Sequence, residues 1–411
     1  MVEKQALALT MPYDILIAGG GIVGLATALQ LQRRNPRLHI AISEKENRVA
    51  AHQSSHNSGV IHSGIYYKPG SLRATNCKRG YDLMLRFCRE NEVPFDICGK
   101  IIVAAEESER GQLDKIYQRG LENGLTGIRK ISPAEARDIE PHVRAVEAVW
   151  VPQAGIVDYG EVARKYAELI QKNGGEIHLG QKAKTVRAQG REVIVQTENQ
   201  EFKGKIFVNC AGLYSDKIAQ LTGEKPNLQI LPFRGEYYEL KHERQHLVRN
   251  LIYPVPNPNF PFLGVHFTRM IQGGIEAGPN AVLAFRREGY SRWDVNIKEL
   301  AETLAFPGFR KIARKYWRDG WKEMQRSYSK HHFVLALQRL VPEILAEDLT
   351  LGRAGVRAMA CDRVGNLLDD FLILTRPRIV NVCNAPSPAA TASLAVGETV
   401  AERVLRMIND G

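Results

Sequence analysis

The stretch from residue 13 to residue 31, YDILIAGGGIVGLATALQL, decides the fold. Its first six residues predict a buried strand, the glycines a tight turn, and the apolar residues that follow a helix. A second strand is expected over residues 38–43, directly before Glu44. Strand, turn, helix and strand form a βαβ unit, which predicts a Rossmann-like parallel sheet.

The glycines of this turn have the spacing Gly19-x-Gly21-x-x-Gly24. In a βαβ unit they give a sharp turn, a close approach to a pyrophosphate and a tight contact between helix and strand. The carboxylate of Glu44, about 20 residues further on, suits ribose hydroxyls and would repel a ribose phosphate. FAD or NAD is therefore favoured over NADP. The expected ligands from this unit are Gly19, Gly21, Ile22, Val23, Gly24, Glu44 and Lys45.

Two later segments favour FAD over NAD. Residues 208–216, VNCAGLYSD, contain small residues where a backbone could close over a cofactor. Residues 384–391, NAPSPAAT, lead into a helical pattern over 389–408, whose first amides could face the negative edge of a reduced flavin. Each segment could also be an ordinary strand-to-helix turn. The expected FAD ligands here are Ala211, Gly212, Pro386, Ser387, Pro388 and Ala389.

Residues 52–67, HQSSHNSGVIHSGIYY, form a dense polar segment behind the second strand. We expect a loop that hydrogen-bonds the pyrophosphate and flavin through Ser55, His56, Asn57, Ser58 and Gly59. A plain surface loop is one alternative. A histidine-rich metal site is another, but no nearby carboxylate or cysteine completes a ligand set in the sequence, so we predict no metal.

The length of 411 residues predicts two domains. Aromatic, Pro- and Gly-rich strand patterns interrupt the cofactor strands, so we expect a mixed α/β fold in which a parallel-sheet FAD-binding domain is interleaved with an antiparallel-sheet substrate domain. The expected FAD-binding segments are 11–100, 151–230 and 341–411, and the expected substrate segments are 101–150 and 231–340.

The net charge of +11 suits acidic substrates, nucleic acid or an anionic membrane surface. Aromatic and basic residues are not interleaved as nucleic-acid surfaces require, so we expect no nucleic-acid partner. Residues 310–326, RKIARKYWRDGWKEMQR, place Trp317 and Trp321 on one helix face. We interpret this segment as a solvated helix resting its tryptophans on the core, with a membrane-surface helix as the alternative.

Cysteine usage and the amino terminus bear on location. Six cysteines without a paired spacing fit reduced thiols. Residues 1–10 lack the pattern of a signal or transit peptide. We therefore expect a cytoplasmic protein, with peripheral contact at the inner membrane as a hypothesis, and a mitochondrial one if the source is eukaryotic.

Several motifs together resemble the L-2-hydroxyglutarate oxidases and dehydrogenases, which are D-amino-acid-oxidase-like flavoproteins. They include HNSGVIHSGIYYKPGSLRA, NCAGLYSD, PFLGVHFTRM, AGVRA and CNAPSPAAT, and the similarity runs from residue 13 to about residue 400. The resemblance implies oxidation of the dicarboxylate L-2-hydroxyglutarate to 2-oxoglutarate by hydride transfer to flavin N5, with a quinone or oxygen as final electron acceptor. A related flavoenzyme acting on glycerol-3-phosphate, an amino acid or a secondary amine is the alternative.

This chemistry needs a base for the hydroxyl proton and cations for the carboxylates. His266, on a strand pattern between apolar neighbours, is the expected base, and His62 is the second candidate; a hydrogen-bonded core histidine is the alternative. Arginine matches a carboxylate with a planar fork. The expected substrate ligands are Arg357 in the AGVRA motif, Arg234, Arg269, Tyr253 and Tyr67.

Overall fold

The computed structural model describes residues 12–258 and 262–409. Residues 1–10 and the outer ends of the expected segments 11–100 and 341–411 lie outside the described residues, as do residues 259–261 within segment 231–340. In chain order the strands are β1 (Tyr13–Ala18), β2 (Ile40–Ser43), β3 (Val60–Ile61), β4 (Phe95–Asp96), β5 (Lys100–Ala104), β6 (Arg129–Ile131), β7 (Glu147–Val151), β8 (Gly155–Val157), β9 (Glu176–His178), β10 (Thr185–Gln189), β11 (Glu192–Gln196), β12 (Glu201–Asn209), β13 (Leu228–Leu240), β14 (Leu251–Pro254), β15 (His266–Arg269), β16 (Ile275–Gly278), β17 (Val282–Leu283), β18 (Leu349–Asp362), β19 (Leu372–Arg376) and β20 (Ile379–Asn384). The α-helices are α1 (Ile22–Arg34), α2 (Leu72–Glu90), α3 (Arg110–Glu122), α4 (Pro133–Ile139), α5 (Tyr159–Lys172), α6 (Ser215–Leu221), α7 (Ile297–Ala305), α8 (Pro307–Tyr328), α9 (Lys330–Gln338) and α10 (Ser393–Asn409).

The first sheet is built around the βαβ unit. Its strand order is β10-β11-β12-β1-β2-β9, and β20 joins beside β12 and carries β19 on its other side. The pairs β12–β1, β1–β2, β2–β9 and β12–β20 are parallel. The carboxyl ends of β1, β2, β12 and β20 therefore meet at one edge, where ligands of open α/β sheets bind.

Helix α1 lies inside this half of the molecule. It is apolar on nearly all sides and buried from Gly24 to Gln32, as expected of a helix enclosed by other elements. Helices α5 and α10 pack against it. A Cβ on Gly397 of α10 would lie 2.8 Å from the Ala26 backbone, so a glycine is needed for this close approach.

The second sheet has nine strands in the order β17-β13-β16-β15-β14-β5-β7-β6, with β18 beside β13. All its pairs are antiparallel except β14–β5. A separate core under this sheet includes Phe267, Phe333 and Leu337. A third, small sheet has three strands in the order β3-β8-β4. The predicted mixture of a parallel and an antiparallel sheet is confirmed.

Strand pairing corrects one part of the expected domain division, which otherwise remains a proposal. Strand β18 falls within segment 341–411, assigned above to FAD binding. It pairs instead with β13 of the second sheet, from Leu228 with Asp362 to Leu240 with Leu349. The sequence of β18 contains no signal that identifies β13 as its partner strand.

Two helix predictions are also corrected. Helix α10 begins at Ser393 rather than at residue 389, because residues 386–392 form turns in which Ala389 N donates to Pro386 O (2.9 Å) and Ala392 N to Pro388 O (2.9 Å). In α8, Trp317 is 61% exposed and Trp321 is 64% exposed. The buried positions of α8 are instead Gly308, Ile312, Glu323 and Ser327, so the expectation that the tryptophans rest on the core is wrong.

Candidate active site

A cavity of about 1660 Å³ is lined by residues of both large sheets. It runs from the turn after β1 and the end of β2 to side chains of β13, β14, β15 and β18. Its volume exceeds the roughly 300–1,000 Å³ of an ordinary small-molecule site. A dinucleotide and a small substrate can therefore share it.

The glycine turn leaves no room for side chains. Gly19 has φ +111°, and a Cβ there would lie 2.5 Å from the carbonyl oxygen of Cys210. A Cβ on Gly24 would lie 2.1 Å from Gly19 O, so Gly24 serves the contact between helix and strand and is not among the described cavity-lining residues. Gly19, Gly21, Ile22 and Val23 line the cavity. The backbone at the start of α1 is thus open to a pyrophosphate.

Glu44 is fixed at the cavity wall by backbone donors. Its Oε2 accepts from Gly20 N at 2.7 Å, and its Oε1 accepts from Glu46 N at 2.9 Å. The side chain is buried, yet it lines the cavity beside the glycine turn. This anchored carboxylate fits the role of a ribose ligand.

The side chain of Lys45 belongs to an ionic cluster. Its Nζ lies 2.7 Å from Glu288 Oε1 and 3.0 Å from His52 Nε2, and it also contacts Glu46. Glu46, His52 and Glu288 have a spacing that could hold a metal ion. The expectation that no carboxylate completes a ligand set with this histidine is therefore wrong, because the fold brings Glu288 in from a distant loop to join Glu46 and His52. The Lys45 ammonium already pairs with both carboxylates.

The polar segment 52–67 contacts the start of α1 through Ser54, which was not among the predicted ligands. Ser54 Oγ accepts from Ile22 N at 2.9 Å. Of the FAD ligands predicted in this loop, His56, Asn57 and Ser58 line the cavity, whereas Ser55 and Gly59 are absent from its described lining. Adjacent serines in a loop carry no periodic signal that would tell which one faces inward.

The other predicted cofactor segments also reach the cavity. Ala211 and Gly212 line it after β12, and the four predicted residues of the Pro-rich turn line it after β20. The latter four are Pro386, Ser387, Pro388 and Ala389. With no α-helix starting at residue 389, this turn approaches the cavity as irregular backbone.

His266, at the start of β15, is buried and lines the cavity. Its Nδ1 lies 2.9 Å from Gly264 O. A carbonyl can only accept, so Nδ1 carries the hydrogen and Nε2 is the basic nitrogen of the neutral ring. Burial, together with the charges of Arg357 and Lys100, lowers the pKa of His266 to about 3. The ring is therefore a neutral proton acceptor at physiological pH.

His62 lines the same cavity, following β3. Burial lowers its pKa to about 3, and the charges of Lys100, Arg73 and His266 add to this effect. The two predicted histidines thus lie within electrostatic range of each other. In the unfolded chain each histidine has a pKa near 6.5. Between pH 6.5 and 3 the unfolded chain therefore binds a proton that the folded protein does not, so the free energy of unfolding decreases as the pH falls through this range.

Arg357 projects from the middle of β18 and lines the cavity. Its guanidinium lies 5.7 Å from the Phe262 ring centre. Its Nη1 is buried and has no hydrogen-bond partner among the described residues. A buried donor of a charged group is costly unless it is paired, so this atom indicates a binding position for an anionic ligand.

The other two predicted arginines are engaged elsewhere. Arg234 is buried and pairs with Glu236 at 3.1 Å, and Arg269 pairs with Asp96. Neither is among the described residues that line the cavity. We therefore withdraw both as substrate ligands, because each cation is already paired with a carboxylate. Asp96 reaches Arg269 from a distant segment, whereas Glu236 lies two residues after Arg234 on the same strand.

Aromatic side chains complete the wall. Tyr253 stacks on His266 with ring centres 3.9 Å apart, and Tyr67 lies under the Arg73 guanidinium at 4.4 Å. Both predicted tyrosines line the cavity, as do Arg73 and Tyr66, which the sequence argument did not select. The adjacent Tyr66 has a buried hydroxyl without a hydrogen-bond partner among the described residues.

Comparison with known proteins identifies the class. The family model for FAD-dependent oxidoreductases, DAO, matches residues 14–403. An L-2-hydroxyglutarate dehydrogenase of Indibacter alkaliphilus is 55% identical over 397 residues, covering 96% of this chain and 100% of the relative. The mitochondrial L-2-hydroxyglutarate dehydrogenase of Homo sapiens is 43% identical over 414 residues, covering 97% and 89%.

A solved structure agrees on the fold. FAD-bound L-alpha-glycerophosphate oxidase from Mycoplasma pneumoniae has a TM-score of 0.79 at 24% identity, covering 97% of this chain and 95% of that one. The chain belongs to the DAO family of FAD-dependent oxidoreductases. The glycine turn, the anchored Glu44 and the open helix start fit the cofactor of this family, so the prediction of FAD is confirmed.

Proposed function

We propose that this enzyme oxidises L-2-hydroxyglutarate to 2-oxoglutarate. The observation that carries the proposal is the pairing, in one cavity, of a neutral buried histidine with an unpartnered buried arginine donor. The histidine can accept the proton of the substrate hydroxyl, and the arginine can bind a substrate carboxylate. The names of relatives that align over nearly the whole chain support the same substrate.

Each residue has a defined part in the proposed reaction. The bound FAD supplies the two-electron acceptor for the hydride from C2. His266 Nε2 takes the proton of the C2 hydroxyl. Arg357 holds one carboxylate through Nη1, and Arg73 beside Tyr67 is the cation that we assign to the other carboxylate. His62 is the alternative base.

The test is anaerobic reduction of the purified flavoprotein. We expect the flavin absorbance to bleach with L-2-hydroxyglutarate and to persist with the D enantiomer. Bleaching by glycerol-3-phosphate, an amino acid or a secondary amine, with none by L-2-hydroxyglutarate, would keep the fold and replace the substrate.

We further propose a peripheral membrane contact through α7, α8 and the loop before them, which would bring the reduced enzyme to a quinone; oxygen is the alternative acceptor. Large apolar side chains are exposed here, with Trp293 at 85% and Ile297 at 81%, besides the two tryptophans of α8. The same helix exposes basic side chains at Arg310, Lys311, Arg314, Arg318 and Lys322. Exposed tryptophans combined with cations are typical of helices that lie on anionic membranes. None of the helices in the described part of the chain has the length and apolar character needed to cross a bilayer.

Replacing both Trp317 and Trp321 by serine should lower partition onto anionic vesicles about tenfold or more, since each buried aromatic ring contributes on the order of 1.5–3 kcal/mol. Flotation with phosphatidylglycerol vesicles measures the effect. Leu351→Ser, on a strand at 71% exposure, is the matched control and should leave partition unchanged. Wild-type protein that stays at the bottom of the gradient would refute the membrane contact.

A further inference from the structure

Lys100, the first residue of β5, is only 1% exposed. None of the ion pairs formed by the described residues within 4.0 Å includes it. Burying an ammonium without a carboxylate costs several kcal/mol in general. An apolar residue at this strand position would avoid that cost in folding free energy. The lysine therefore indicates a role other than stabilising the fold.

The neighbours of Lys100 connect it to the active site. Its Nζ lies 4.7 Å from the ring centre of Tyr66 and 4.8 Å from that of Tyr253. Both distances are within the range of cation–π attraction. Tyr253 in turn stacks on His266 at 3.9 Å. Both the Lys100 ammonium and the His266 imidazole therefore contact the Tyr253 ring, and this ring connects the lysine to the proposed base.

The charge of Lys100 acts on both histidines. After burial itself, it is among the causes that lower the pKa values of His62 and His266. The Cys77 thiol also lies near Lys100, but burial raises its pKa to about 12, so it stays neutral. No acidic group thus offsets the lysine charge within the described surroundings.

We propose that Lys100 is a positioning residue for the reaction: it holds Tyr253 against His266 and places a buried positive charge behind the wall that faces the anionic substrate. This role rests on the proposed function. Lys100 is not among the described residues that line the cavity, so it acts through the two tyrosines and through its field rather than by contact with substrate.

Lys100→Met keeps the length and volume of the side chain and removes the charge. Burial lowers the pKa of Lys100 to about 7 from the ordinary 10.5. The unfolded chain therefore binds the extra proton between pH 7 and 10.5, and this site adds stability as the pH rises through that window. We expect the variant to have a higher Tm at pH 7 and a weaker rise of Tm between pH 7 and 10.

The same variant should be a poorer enzyme. We expect kcat/KM for L-2-hydroxyglutarate to fall about tenfold or more at pH 5, and to fall less at pH 8. Lys100, with a pKa of about 7, carries its charge mainly at the lower pH, where that charge opposes protonation of His266. Lys115→Met, an exposed position on α3, is the matched control and should change neither Tm nor kcat/KM.

Two outcomes would overturn the proposal. A lower Tm with an equal loss of activity at every pH would mean that Lys100 only supports the wall, and unchanged kcat/KM would mean that it has no part in the reaction. The Tm measurements need no substrate, so they report on Lys100 even if wild-type enzyme ignores L-2-hydroxyglutarate. In that case the proposed function fails separately, and the pH series is run with the substrate that does bleach the flavin.

Discussion

Arg357→Met should lower kcat/KM for L-2-hydroxyglutarate by about 100-fold or more. The guanidinium lines the cavity and its buried Nη1 has no protein partner among the described residues, so the substrate carboxylate is its expected partner. Charge-assisted hydrogen bonds contribute on the order of 1.5–3 kcal/mol each, and a carboxylate left buried without a partner adds to the loss. Flavin content should not change.

Steady-state kinetics, with flavin absorbance as the loading control, measure this effect. Arg353→Met is the matched control, because Arg353 lies on the same strand, is largely exposed and pairs with Glu276 at 3.2 Å. The kcat/KM of Arg353→Met should fall by less than about threefold. Equal losses in the two variants would show that Arg357 has no special part in binding.

His266→Asn should lower kcat by about 10²–10⁴-fold, the usual contribution of a positioned base. The asparagine amide can still donate to Gly264 O, which His266 Nδ1 contacts at 2.9 Å, but the basic Nε2 is lost. Substrate binding should weaken little, because Arg357 remains. The reduction rate of the flavin in a stopped-flow instrument isolates the step.

The pH dependence separates His266 from an ordinary histidine. Since burial lowers its pKa to about 3, the wild-type rate should not fall between pH 7.5 and 5.5, as it would with a base of pKa 6.5. His62→Asn is the comparison, because His62 is the second candidate. A larger loss of kcat in His62→Asn than in His266→Asn would reverse the assignment of the base.

Much of the cofactor site was predictable because its signals are local. Gly19 has φ +111°, and a Cβ added to it would lie 2.5 Å from a carbonyl oxygen, so a residue with a side chain does not fit there. A glycine at this point of the sequence therefore indicates the tight turn directly. Glu44 follows its strand directly, and its spacing from the glycines reflects the length of one helix and one strand. Residues such as Ser54 escaped prediction because loop serines have no periodicity.

The proposed substrate-binding part of the cavity was predicted less completely. His266 and Arg357 were selected through motifs, and the geometry that supports them came from the fold. Arg234 and Arg269 have the same residue type, yet both are neutralised by carboxylates. The pair of Arg269 with Asp96 joins residues distant in sequence and leaves no mark in either segment. Glu236, in contrast, lies two residues after Arg234 on the same face of a strand, and this spacing was a signal that the sequence offered.

The sequence by itself determined the βαβ unit, the mixed α/β fold and the binding of a dinucleotide, because glycine sterics and strand and helix periodicity act over a few residues. Only the tertiary structure decided which side chains share the cavity. It brought β18 beside β13, left Trp317 and Trp321 in solvent, and placed Lys100 behind Tyr253 and Tyr66. Burial, ion pairing and the resulting pKa values depend on neighbours from distant segments, and these neighbours are fixed only when the sheets pack.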